Sequence, residues 1–211
     1  DEVGAHVIAY FKKDNYHESR SFEKYTVSND PSTWQPTPPA YMEGIEPHWN
    51  KIRPFILDSA SQFRTDLVTE FSFDPKSQFY QEAEFVFNTI NNLTPEQKDI
   101  AMFWDCNPYK VNVKGHVMFA EKKITPGGHW MGIAAISSKT AGQDWKGTSE
   151  TLVFTSIAIF DAFIACWDEK YKTRLIRPET YINRYIDEDW LPLLQTPPFP
   201  EYTSGHSVAS N

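Results

Sequence analysis

Apolar side chains in this sequence recur mostly at helical spacing and few stretches alternate with a period of two, which predicts a mostly α fold. The clearest face is Phe79, Ala83, Val86, Phe87 and Ile90, preceded by Asp74-Pro75, a cap with a proline suited to the first helical position. Thr94-Pro-Glu-Gln97 is a capping box that opens a short helix running through Trp104. The same threonine completes Asn92-Leu93-Thr94, a glycosylation acceptor in form, but the cap accounts for it without a secretory pathway. Thr125-Pro126 opens another helix through His129 and Trp130 to Ile136, and a turn over 142–147 leads to the longest apolar run, 151–167. That run contains Asp161 and closes on Asp168, Glu169 and Lys170. It falls short of the roughly 20 mostly apolar residues of a membrane span, so a central buried helix beginning at Ser149 is expected, with no membrane span.

The front of the chain has a different pattern. Residues 6–11 predict the start of a helix, and the alternation over 22–27 predicts an edge hairpin. Six prolines follow (Pro31, Pro36, Pro38, Pro39, Pro47 and Pro54), which forbid a regular helix and give an extended wrap. Trp34, Tyr41 and Trp49 are expected to tack this wrap onto the body. Residues 107–123 show no clear periodicity. The organisation predicted is an extended, partly irregular wrap over 1–54 and a helical core over 55–211, one domain in all.

Composition narrows the function. A chain of 211 residues, 40% hydrophobic and 15% aromatic, can bury one large core. A formal net charge of -8 argues against nucleic acid as a partner, since that affinity rests on Lys and Arg meeting phosphates. An anionic ligand would need a local basic pocket. Cys106 and Cys166 are too few for a disulfide framework and lack zinc spacing. The chain opens on Asp1 without a methionine, and an extracytoplasmic or periplasmic home is expected.

Such a basic pocket is suggested by two stretches. In 170–178, Lys170 offers a point charge, and Arg177, seven positions on and followed by Pro178, offers a planar fork that matches two oxygens of an anion. Pro178 is expected to open a new helix after a break. After the rigid Pro197-Pro198-Phe199-Pro200 comes Thr203-Ser204-Gly205-His206, which suits the start of a helix. Ser204 can donate its hydroxyl, Gly205 lets backbone approach closely, and His206 can pass a proton near neutral pH.

Together, in this order, the two stretches resemble the superfamily of vanadium-dependent haloperoxidases and type 2 phosphatidic acid phosphatases. Its signature runs Lys-x6-Arg-Pro, Pro-Ser-Gly-His, then Ser-Arg-x5-His. The first motif is present, the second has Thr203 in place of proline, and the third is absent from these residues. The resemblance implies a helical bundle of the haloperoxidase and acid phosphatase type. It implies oxyanion binding by Lys170, Arg177, Ser204 and Gly205, acid–base work by His206, and a halide-side aromatic wall of Trp167 and Phe199. No metal ligand is assigned, because the family places its vanadate-ligating histidine in the third motif; His6, His17, His48, His116 and His129 stand in no such motif. The favoured expectation is halide oxidation by hydrogen peroxide with vanadate as cofactor. The alternatives are an acid phosphatase that needs no cofactor and takes phosphate as the substrate moiety, and a non-catalytic helical scaffold. Further partners expected are a missing C-terminal segment or a homodimer mate.

Overall fold

The structure is a computed structural model that describes residues 1–65 and 69–210. It is mostly helical: α1 (Glu2–Phe11), α2 (Tyr16–Ser19), a 3-10 turn (Trp49–Lys51), α3 (Gln78–Asn91), α4 (Pro95–Phe103), α5 (Pro126–Thr140), α6 (Trp145–Thr173), α7 (Pro178–Tyr185) and α8 (Gly205–Ser210). One antiparallel hairpin, β1 (Val111–Lys114) and β2 (Val117–Ala120), pairs Val111 with Ala120 and Lys114 with Val117. It lies where the sequence had no clear period, since β2 is exposed along its whole length and so lacks the in-and-out alternation of a half-buried strand. No strand forms over the alternating 22–27.

Local capping sets most boundaries. Thr94 and Gln97 form the predicted capping box, and Thr125 caps α5 by accepting from the amide of Gly128. α3 starts later than its sequence suggested: Asp74 accepts from the Lys76 amide in a turn, and Ser77 is the cap, accepting from the Tyr80 amide. α6 starts earlier, at Trp145, because the Asp144 carboxylate accepts from the Gly147 amide at 2.8 Å, a stronger cap than the hydroxyl of Ser149.

α6, 29 residues and about 43 Å long, is the axis against which α5, α8 and the 3-10 turn pack. Its burial is one-ended. Asp161, Ile164 and the residues 166–170 are buried, whereas Trp145 and Phe154 are 83% and 71% exposed, so the expected central buried helix is central but buried only over its second half. By length and composition it could cross a membrane, with 17% of the qualifying window buried in this fold. A second cluster joins α3 to α7 through Phe79, Ala83, Tyr181, Ile182 and Trp190, with Val86, Phe87 and Ile90 against it, which is the face read from the sequence.

The N-terminal wrap is tied down at named points. Trp34 is fully buried, its amide donates to the Arg174 carbonyl at 2.7 Å, and the Ile176 amide donates to the Ser32 carbonyl at 2.9 Å. Trp49 packs on Trp167 with ring centroids 4.6 Å apart. Tyr41, the third expected anchor, is instead 65% exposed. Farther on, the buried Asp161 carboxylate accepts from the amides of Phe55, Ile56 and Leu57 at 2.8, 2.7 and 3.0 Å.

Candidate oxyanion site

Lys170 lies in the last turn of α6, which stops because Arg174 adopts the left-handed conformation at φ 53. The next residues run extended beside residues 32–34, and Arg177 then takes the cap position ahead of Pro178 in α7. This break turns the chain so that both cations lie against one aromatic ring: Lys170 Nζ is 5.0 Å and the Arg177 guanidinium carbon 4.8 Å from the Phe199 ring centre. Trp167 packs on Phe199 at 4.9 Å, closing the apolar side.

Both cations are also bound to the Pro-rich segment. Lys170 Nζ donates to the carbonyls of Pro200 and Glu201 at 3.0 and 2.9 Å, leaving one of its three donors uncommitted. Arg177 Nε donates to the Phe199 carbonyl at 2.8 Å, and Nη1 meets the Glu201 carboxylate at 2.6 Å. Arg177 Nη2 is buried and has no hydrogen-bond partner. Burial, and then the charge of Arg177, lowers the Lys170 ammonium to about 8. An arrangement that holds two like charges together in a dry corner, with donors unspent, suits a guest that carries negative charge.

The second motif follows directly. Ser204 Oγ accepts from the Ser207 amide and so caps the start of α8. Beside Gly205, an added Cβ would meet nothing nearer than the Phe163 ring at 3.9 Å, so its backbone face is open. His206 Nε2 lies 2.9 Å from the Trp104 carbonyl. A carbonyl only accepts, so Nε2 is the donating nitrogen, and Nδ1 makes no hydrogen bond among the described residues. The structure thus brings Lys170, Arg177, Trp167 and Phe199 together. Among the described residues, no hydrogen bond joins Ser204, Gly205 or His206 to either cation, and His206 is exposed toward α4.

Three neighbours escaped the sequence reading. Glu201 pairs with Arg177, and its only signal was a carboxylate three residues ahead of Ser204. Cys166, one helical turn before Lys170, lies 3.3 Å from Thr203 Oγ1, and burial raises its thiol while the Lys170 charge opposes that. Trp104, read only as a helix end, supplies the carbonyl that fixes His206. Among the described residues no group of three or more His, Cys, Asp or Glu side chains is placed to hold a metal ion.

Comparison with known proteins bears on the fold that carries these residues. Residues 150–189 match the family described as the VCPO second helical-bundle domain. The crystal structure of the first bacterial vanadium-dependent iodoperoxidase is 52% identical and superposes with a TM-score of 0.90 over 99% of this chain. The chain belongs to the vanadium-dependent haloperoxidase family. It spans about half of that iodoperoxidase, 49% of its length. Two crystal structures of bacterial vanadium-dependent chloroperoxidase, apo and holo, are 18% identical with TM-scores of 0.61 and 0.66. They cover 89% and 94% of this chain and are themselves covered to 46% and 51%, and at that identity they show the haloperoxidase fold alone. No curated protein sequence matches the chain.

Proposed function

We propose that these residues form the oxyanion cradle of a vanadium-dependent haloperoxidase that oxidises halide with hydrogen peroxide. The observation that carries the reading is the buried pair Lys170 and Arg177 on the Phe199 ring, with Nη2 of Arg177 unpartnered. The donor set is cationic and hydrogen-bonding, which fits vanadate as an oxyanion better than a bare metal ion. Lys170, Arg177, Ser204 and the Gly205 amide would hold it, and when bound it supplies the Lewis-acid centre at which peroxide is activated. Lys170 and Arg177 neutralise its charge and fix its orientation. Trp167 and Phe199 keep water from that side, which strengthens the charged hydrogen bonds. His206 takes up and returns a proton at Nδ1, the nitrogen that the Trp104 carbonyl leaves free. Similarity to an iodoperoxidase makes iodide the first halide to test.

The test is iodide and bromide oxidation by the whole protein with vanadate and peroxide, beside hydrolysis of a chromogenic phosphate ester. Halide oxidation is expected; hydrolysis alone would overturn the reading. His206→Ala should lower turnover far more than vanadate affinity, and an equal loss in both would make the imidazole a positioning group.

The lowered Lys170 value sets a pH dependence with a definite sign. The ammonium is charged below about 8 and is lost as pH rises through that value. Sulfate, whose charge does not change in this range, is therefore expected to bind less tightly above about pH 8, approaching about tenfold per pH unit if binding requires the ammonium. Calorimetric titration from pH 7 to 10 checks this, and a flat profile would remove Lys170 from the anion's shell.

A further inference from the structure

We propose that Glu201 sets the anion affinity of this site from within, by occupying one edge of the Arg177 fork that an anion would otherwise take. The inference rests on the oxyanion reading above and adds a residue to it. Glu201 Oε2 lies 2.6 Å from Arg177 Nη1, while Nε is committed to the Phe199 carbonyl. Of the three guanidinium nitrogens only Nη2 is buried and unspent. An anion can therefore reach Arg177 through a single nitrogen, whereas a free fork would offer two parallel donors.

The carboxylate is held in this position by its own backbone. The Glu201 amide donates to the Leu175 carbonyl at 3.1 Å, and its carbonyl accepts from Lys170 Nζ at 2.9 Å, so both ends of the residue are pinned beside the cations. Its side chain is freer, 37% exposed against 11% for Arg177. A fixed negative charge beside the two positive ones leaves the cradle with a net charge of about +1 instead of +2 below the Lys170 titration. An incoming oxyanion meets this charge as repulsion and as competition for Nη1. Glu201 thus weakens the hold on the resting anion, an effect opposite in sign to that of Lys170 and Arg177.

The test compares inorganic phosphate binding by calorimetry in the wild-type chain, Glu201→Gln and Glu201→Ala, with circular dichroism to confirm that each is folded. At a pH well below the Lys170 titration, both variants are expected to bind about tenfold more tightly, discounting the bare charge interaction for the exposure of the carboxylate. A merely structural role predicts weaker binding on substitution, so the sign of the change separates the two. Equal or weaker binding in both variants would overturn the role of Glu201 and leave the oxyanion reading in place. Absence of phosphate binding in the wild type and in both variants would overturn the oxyanion reading, and this inference with it.

Discussion

Lys170→Met is expected to weaken oxyanion binding about a hundredfold while leaving the unfolding midpoint almost unchanged. The first half follows from the loss of a charge-assisted hydrogen bond, which contributes about 1.5–3 kcal/mol. The second half is a balance of two opposed terms. Holding the ammonium at about 8, against an ordinary value of 10.5, costs the folded state about 3 kcal/mol at neutral pH, and methionine removes that cost. Against it stand the carbonyls of Pro200 and Glu201, which lose their donor at about 1–3 kcal/mol each where water cannot replace it. Methionine nearly fills the vacated volume, so no large cavity is added. Phosphate calorimetry and urea unfolding measure the two halves separately. Unchanged affinity would remove Lys170 from the site, and a severe loss of stability would show that its ties to residues 200 and 201 outweigh its desolvation.

Asp161→Ala is expected to destabilise the fold by about 3–5 kcal/mol, a large share of the 5–15 kcal/mol that typically separates folded from unfolded chains. The carboxylate accepts three amides, those of Phe55, Ile56 and Leu57, in a segment without regular secondary structure. Without it, three amides lose their acceptor and the segment at 55–57 loses its tie to α6. Asp161→Asn should fall between, because one oxygen is kept while an amide group is turned toward the donors of Ile56 and Leu57. Urea unfolding measures the loss, and a change under 1 kcal/mol for alanine would mean that water takes over the three amides.

Features whose physics is local were legible in the sequence. The helical face of α3, the capping box at Thr94, the cap at Thr125 and the restart at Pro178 all depend on residues within a few positions of one another. The family signature named Lys170 and Arg177, and the structure puts both on Phe199. What escaped the reading depends on partners far apart in sequence. Nothing near residue 161 tells that its carboxylate will serve amides at 55–57, and nothing near 206 points to a carbonyl at 104. Tyr41 and the N-terminal half of α6 failed in the other direction, because an apolar pattern says that a side chain could be buried and not that a neighbour is there to cover it.

The short bridge between Thr33 and Leu175 therefore carries a meaning beyond its size. It closes a loop of more than a hundred residues immediately before Arg177, and closing so long a loop costs entropy before any contact repays it. The relative placement of the two cations thus depends on docking of a segment from the front of the chain. During refolding, anion affinity would report the moment at which that segment has found its place.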